Sequence, residues 1–456
     1  MKDSITDLAV TFINNMIRIL TVGETINDFE VEALREAKDY AAKMITLRIE
    51  SVDAAIVSDK AARRESGYAI ERRNDERSFQ SLVGEISYSR TYYAKASGGY
   101  EYLADTALGI TERSRVSENL SLSLVKASKD MSYWKASNHI ADGAISKQTV
   151  MGRVRQSCAV ENPLEERRRV PELHIDADEA HITLTGGKKS EVPLISVYEG
   201  IETNGKRNSC KKIFHISEYG KTPDRLWEQA LTEIERRYDL TDTRIYLHGD
   251  GAKWIKTCFD WIPQAIFVLD KYHKNKAIKN MTAGLKKEVR KQFDTAIRES
   301  LSEENLQLFR ELTKALCAEM PDRYDKIRDS AKYLKKFVSG ISICAKDSGA
   351  NNGGCTEPHV SHILSARLST RPMAWSKQTL IQLAPILATK NVAIQGSQLT
   401  RPQLPKPLIK TAAQANKKFF KSVKNWSTGL PHPDAIGTLP IVGKRTGTQV
   451  LLKLYA

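Results

Sequence analysis

The sequence predicts an α/β protein: a mixed sheet with helices on both faces, interrupted by a helical insertion and preceded by a helical, helix-turn-helix-like region. Three observations carry this. From residue 171 to 270, β-rich runs follow one another and then alternate with amphipathic ones, the order that covers a sheet on both faces. From 271 to 346 the chain reads as helix, until the loop Asp347-Ser-Gly-Ala-Asn-Asn-Gly-Gly-Cys-Thr356. Upstream, Phe29 to Ala62 carries apolar residues at three- and four-residue spacing, with no Gly or Pro.

Taken in order, residues 1–78 read as an N-terminal helical region. Residues 79–112 turn β-rich: Phe79 to Tyr93 is dense in β-branched and aromatic residues, Gly98-Gly99 marks a turn, and Tyr100-Glu-Tyr-Leu follows. Residues 113–160 read as three short helices, Val116–Lys129, Tyr133–Asp142 and one capped by Ser146 that runs to about Ser157, with Gly143 in the second turn. That is the helix-turn-helix pattern, and its third helix would expose Lys147, Gln148, Arg153 and Arg155 to phosphates and base edges. An ordinary helical hairpin with a hydrated polar face has the same pattern.

In the sheet region, strands are predicted at Leu173–Leu184, Val192–Tyr198, Lys211–Ser217, Arg244–His248 and Ala265–Leu269, with helices at Asp224–Tyr238 and Lys253–Trp261. The insertion, 271–350, holds helices Ala283–Ser300 and Glu303–Met320. In 351–400, Thr356 is placed to cap a helix that starts at Glu357, with Pro358 in its first turn. Beyond 401, prolines 402, 405, 407, 431 and 433 suggest an irregular extension.

Composition narrows the function. The chain carries a net charge of +15, and residues 371–456 hold thirteen Lys/Arg against one acid, Asp434, most of that excess. A polyanion is the natural partner, because cations gain affinity by releasing counterions condensed on phosphates. A solvated basic tail is the plainer reading. The six cysteines form no C-x-x-C pair, which argues against a zinc ribbon and for reduced thiols in the cytoplasm. No membrane-crossing helix and no secretory signal are expected.

Three acids stand out. Asp178 lies within the first sheet strand, with Asp176 on the same face, and acids there need an exposed edge or a cation. Asp250 ends a strand between Gly249 and Gly251, where open α/β sheets place functional groups. Glu357 begins a helix after the Gly-rich loop, and taken alone is explained by the helix dipole. Together, carboxylates from two strands and a later helix can hold two Mg²⁺ ions and clamp an in-line phosphodiester displacement.

These residues lie in longer segments: Gly84-Glu-Ile-Ser-Tyr-Ser-Arg-Thr-Tyr-Tyr, Ile145-Ser-Lys-Gln-Thr-Val, Ile175-Asp-Ala-Asp-Glu, Gly249-Asp-Gly-Ala-Lys-Trp-Ile and Glu357-Pro-His-Val-Ser-His-Ile-Leu-Ser-Ala-Arg-Leu-Ser-Thr-Arg-Pro-Met-Ala-Trp-Ser. Over nearly the whole chain the sequence resembles bacterial insertion-sequence DDE transposases of the ISLre type, formerly catalogued as an uncharacterised protein family. The resemblance implies an RNase H-like core with Asp178, Asp250 and Glu357 as catalytic metal ligands, and two Mg²⁺, replaceable by Mn²⁺. It also implies as partners terminal inverted repeats and target DNA, a homo-oligomer on DNA and no membrane. Asp270-Lys-Tyr-His273 resembles an Asp-x-x-His motif that follows the second catalytic Asp in several transposase superfamilies; a hydrogen-bonded pair at a strand end is the alternative. Relatives often carry Glu where Asp176 stands and Gly where Pro358 stands. Asp178 is therefore taken as the first acid and Asp176 as its neighbour, although the pattern of residues alone leaves both open. His359, His362, Arg367 and Arg371 follow Glu357 in positions suited to holding phosphates, with His362 also assigned as support of the site and the arginines to DNA; a helix facing solvent would look the same. The rivals are a DNA-binding protein of transposon origin that no longer cuts, and a nuclease with the same core.

Overall fold

The computed structural model describes residues 5–22, 25–160, 166–205, 207–370, 373–395 and 404–428. The chain is mixed α/β and divides into two compact units. One comprises residues 1–121, 140–145 and 396–456; the other comprises 122–139 and 146–395.

In the first unit, helix Ile5–Val22 packs on the long helix Ile26–Ser58 through a Phe12–Tyr40 stack, centroids 4.6 Å apart, and an Asn15–Glu36 hydrogen bond of 2.8 Å. By length and composition, Ile5–Val22 could cross a membrane, with a mean hydropathy of 1.3. Asp7 and Arg18 interrupt its apolar run without lowering the mean far, and the core helix of a soluble protein meets the same measure. Strand Tyr68–Ser81 pairs antiparallel with Gly84–Lys95, and Tyr100–Glu101 adds a third strand across the Gly98-Gly99 turn. The helical region thus stops at Glu65, short of residue 78, because the chain reverses at Gly67, φ +74°, and enters the sheet. Residues after 403 also depart from expectation. Lys406–Thr428 is a helix, whose Leu408 and Ala412 share a core with Leu404, Val52, Ile56, Tyr93 and Leu103. Proline fits there because it stands at the helix start, where its missing N–H costs nothing. Prolines 431 and 433 lie outside the described residues.

The three short helices predicted over 113–160 are present as Glu118–Ala127, Tyr133–Ala141 and Lys147–Arg155, and the Ser146 hydroxyl caps the third by accepting the Thr149 N–H. The third ends at Arg155, since Ser157–Val160 is drawn into a ladder with Asn391–Ile394.

In the second unit, five strands form the central sheet: β1 (Glu172–Thr183), β2 (Lys189–Tyr198), β3 (Phe214–Ile216), β4 (Arg244–Gly249) and β5 (Ile266–Leu269). The order is β3-β2-β1-β4-β5. β2 runs antiparallel to β1 and to β3, and β4 runs parallel to both β1 and β5. A hairpin, Ile201–Asn204 with Arg207–Cys210, intervenes between β2 and β3. The two-residue period sorts the β1 side chains. Leu173, Ile175 and Ala177 bury one face against Leu226, Trp227, Ala230 and Ile234 of helix Pro223–Arg237. Ala180 and Ile182 bury the other against Val360, Leu364, Leu380 and Leu383 from the segments 356–368 and Lys377–Ala388. Between β5 and that covering layer come helices Lys271–Thr282, Lys287–Ser302, Leu306–Glu319, Tyr324–Lys336 and Val338–Lys346, with their own core around Met281, Ile297, Leu316 and Leu334. Gly284 falls between the first two, φ +114°, and so the predicted helix at Ala283 begins at Lys287 instead.

Candidate active site

The register of the parallel strands builds the site. Asp176 pairs with His248, and Gly249 with Leu269. Carried two residues and one residue further, these ladders set Asp178 beside Asp250 and Asp250 beside Asp270, a row of carboxylates where β4 and β5 end. Each is held by a neighbouring N–H: Asp178 Oδ1 accepts from Glu179 at 2.9 Å, Asp250 Oδ1 from Ala252 at 2.8 Å, and Asp270 Oδ1 from His273 at 3.0 Å. The second oxygen of Asp270 meets His273 Nδ1 at 2.5 Å. Among the described residues, the second oxygens of Asp178 and Asp250 have no hydrogen-bond partner.

Asp178 is 8 % exposed. Burial pushes its carboxyl up to about 7; the Glu179 and Asp250 carboxylates add to the rise, and the Glu179 N–H and His273 oppose it. His273 is raised, first by its hydrogen bond to Asp270 and then, against burial, by the negative field of Asp270, Asp178 and Asp250. The insertion contributes Tyr333, which sequence reasoning missed. Its hydroxyl donates to the Asp250 carbonyl at 2.9 Å, and burial together with Asp250, Asp270 and Asp178 pushes it up. Nothing in the local sequence marks Tyr333, because the helix that carries it is indistinguishable from its neighbours. Gly251 is required where it stands: φ is +81°, and a Cβ would lie 2.2 Å from the Phe337 ring.

Asp176 has a different environment. It accepts from Tyr198 Oη at 3.0 and 3.1 Å and from the Cys355 N–H at 2.9 Å, and His359 Nδ1 stands 3.1 Å away. His174 Nδ1 meets His248 Nε2 at 3.1 Å beneath Gly353, whose Cβ would fall 2.4 and 2.5 Å from those nitrogens. Cys210 Sγ lies 3.6 Å from His359 Nε2; the influence of the Cys210 thiol draws Cys355 down to about 7, and that of Cys355, with burial, pushes Cys210 up. These cysteines are 145 residues apart in the chain, beyond the reach of a search for short motifs.

Glu357 is exposed, and among the described residues it has no hydrogen bond or ion pair. Its helix, Thr356–Val360, continues through a π-helical turn, Ser361–Ser365, and buries Thr356, Val360 and Leu364. Thr356 is the first helical residue and caps nothing; its buried hydroxyl has no partner. The structure brings together Asp178, Asp250, Asp270 and His273; Glu357 and His362 are exposed. Glu179, His181 and Glu191 also converge, within 4.8 Å, but His181 and Glu191 are exposed.

The assigned DNA contacts divide similarly. Lys147 and Gln148 are exposed. Arg155, expected to be exposed, instead donates to Thr379 Oγ1 at 2.9 Å and Ser376 Oγ at 3.1 Å; Arg153 is half-buried and donates to Gln156 at 3.1 Å. Arg367, 6 % exposed, donates to the Ser128 carbonyl at 2.7 Å and lies over the Trp375 ring at 4.8 Å. It holds the core together and is not presented to phosphate. Arg371 lies outside the described residues.

Residues 20–403 match the uncharacterised protein family UPF0236. A UPF0236 protein of Caldanaerobacter subterraneus subsp. tengcongensis is 32% identical over 436 residues, 90% of this chain and 92% of that protein. Another from the same organism is 32% identical over 443 residues, 92% of this chain and 93% of that one. A third is 31% identical over 443 residues with the same coverage, and its printed name joins eleven designations.

Proposed function

We propose for this chain, which belongs to the UPF0236 family, the function of a transposase: Mg²⁺-dependent cleavage and strand transfer of insertion-sequence DNA on an RNase H-like core. The observation that carries this is the row of Asp178 within β1 and Asp250 and Asp270 just past the ends of β4 and β5, along three adjacent strands of a sheet ordered β3-β2-β1-β4-β5 with β2 reversed. The sequence resemblance, the excess of basic residues and the exposed Lys147 and Gln148 on a capped third helix agree with it. So does a relative printed under eleven joined designations in one organism, as a self-copying element would leave.

The donor set fits a hard divalent cation. Asp178 and Asp250 each keep one carboxylate oxygen fixed by a backbone N–H and one without a partner, and oxygen-only ligation suits Mg²⁺. Bound there, the metal would activate water and stabilise charge on the attacking and leaving oxygens of a phosphodiester. Asp178, raised by burial and by its acidic neighbours, gains most from a cation. Asp270 holds the His273 imidazole and favours its protonated form beside the substrate phosphate. Glu357 lies in the first turn of a helix packed on the same sheet face and would complete the ligand set.

Full-length protein, Mg²⁺ and a duplex carrying the DNA that flanks its gene test this. Cleavage at the element boundary and joining to target DNA are expected, and Asp178→Asn and Glu357→Gln are expected to bind without cutting. Binding without cleavage by the wild type would favour the rival, a DNA-binding protein of transposon origin. Cleavage without joining would leave a nuclease.

A further inference from the structure

We propose that Tyr198 is a positioning residue for Glu357: its hydroxyl clamps the glycine-rich loop to the sheet, and the clamp sets the start of the helix that carries Glu357. This rests on the reading of Glu357 as a metal ligand. The even-numbered residues of β1 and β4 share one face. From Glu172 to Asp178 and from Arg244 to Asp250 that face is polar, while the odd-numbered residues between them are apolar or glycine. The loop runs along this polar face. At Gly349 a Cβ would fall 2.5 Å from Tyr246 Oη and 2.7 Å from Glu172 Oε2, and Gly353 lies against His174 and His248. The Cys355 N–H then donates to Asp176 at 2.9 Å. The loop thus advances along β1 from residue 172 to 174 to 176. The next β1 residue on that face is Asp178, and two residues after Cys355 the chain presents Glu357.

Side chains from across the sheet hold the loop in that course. Tyr246 Oη donates to Asp347 at 2.7 Å, and Glu172 accepts from Asn352 at 2.7 Å. Lys271, the residue after Asp270, donates to the carbonyls of Asn351 and Gly353, both at 3.2 Å. Tyr198 closes the clamp from the end of β2. Its buried hydroxyl donates to Asp176 at 3.0 Å and accepts the Gly354 N–H at 2.9 Å. Burial and the Asp176 charge push the phenol up, so it remains a hydroxyl in any ordinary buffer. Gly354 and Cys355 are the last two residues before the helix Thr356–Val360. Tyr198 and Asp176 therefore fix the backbone from which Glu357 departs. Lys271 couples the same loop to the segment that carries Asp270 and His273. A metal ligand is only as well placed as the partners that orient it.

Two measurements on the full-length chain test this. In metal-free protein, Tyr198→Phe should speed amide hydrogen exchange over residues 349–358 by about tenfold and leave β4 unchanged. In a Mn²⁺ titration followed by electron paramagnetic resonance, Glu357→Gln and Tyr198→Phe should each weaken binding by about tenfold. The double variant should bind no more weakly than Glu357→Gln alone, because Tyr198 acts through Glu357. Lys271→Ala should weaken Mn²⁺ binding as well, and Lys271→Arg, which can still donate to both carbonyls, should restore it. Unchanged exchange in Tyr198→Phe would show that the hydroxyl clamps nothing. Faster exchange with unchanged Mn²⁺ affinity, or losses that multiply in the double variant, would make Tyr198 structural only. Either result overturns the proposal. Mn²⁺ affinity indifferent to Glu357→Gln would overturn both the proposal and the role of Glu357. The full pattern in a protein that cuts no DNA would count against the transposase reading alone.

Discussion

Asp176 and Asp178 stand two residues apart on one face of β1, and their surroundings differ in kind. Asp176 accepts bonds from Tyr198 and Cys355 and adjoins His359; among the described residues Asp178 has one bond, from the N–H that follows it, and its other oxygen has no partner. A buried carboxylate with several donors is settled, while one with few is costly and raised in pKa. The comparison teaches that, under the proposed function, the acid free to take a cation is identified by what it lacks. A sequence cannot display that, since both residues sit in the same alternating pattern.

The largest expected effect is on chemistry. Asp250→Asn should lower Mg²⁺-dependent cleavage by about a thousandfold or more, equivalent to roughly 4 kcal/mol of barrier, with DNA affinity kept. Single-turnover cleavage and a binding titration on the same duplex would separate the two, and retained cleavage would dissolve the distinction between the acids. Next is Asp176→Ala, which strips partners from Tyr198 and the Cys355 N–H and should cost about 3 kcal/mol in urea unfolding. A loss no greater than that of a surface substitution would mean that Asp176 is not the structural member of the pair.

Asp178→Asn should act in the opposite direction on stability. The unfolded carboxyl ionises near 3.8 and the folded one near 7. The unfolded state therefore sheds its proton first, and stability falls as pH rises between those values. The Asn variant avoids that penalty. In chelator it should match the wild type near pH 4 and exceed it at pH 8 by at most about 4 kcal/mol. An inactive variant less stable than the wild type at pH 8 would contradict the assignment. The smallest effects concern DNA. Lys147→Ala should weaken binding and reduce the salt slope by about 1, whereas Arg155→Ala should cost about 1 kcal/mol of stability through Thr379 and Ser376 and leave the slope alone.

Much of the sheet was legible because burial on both faces writes apolar runs, and Gly249 and Gly251 punctuate the strand that delivers Asp250. The capped helix at Ser146 was legible for the same local reason. What escaped was decided at a distance. Ser157–Val160 becomes a strand only because Asn391–Ile394 lies beside it. Arg155 and Arg367 read as free cations until the partners of their guanidinium groups are known, and 224 residues separate Arg155 from Thr379. Residues 404–428 read as irregular because proline marks both loops and helix starts.

That last helix has a consequence for the order of events in synthesis. Leu404, Leu408 and Ala412 share a core with Val52, Ile56 and Tyr93, whereas residues 146–395 of the second unit are translated in between. The unit begun first is finished last, so the carboxylate-bearing unit can fold while its predecessor still waits for part of its interior. A stop codon after residue 395 would spare Asp178, Asp250 and Glu357 and still leave Val52, Ile56 and Tyr93 uncovered. Cellular quality control recognises such a product by its exposed apolar surface.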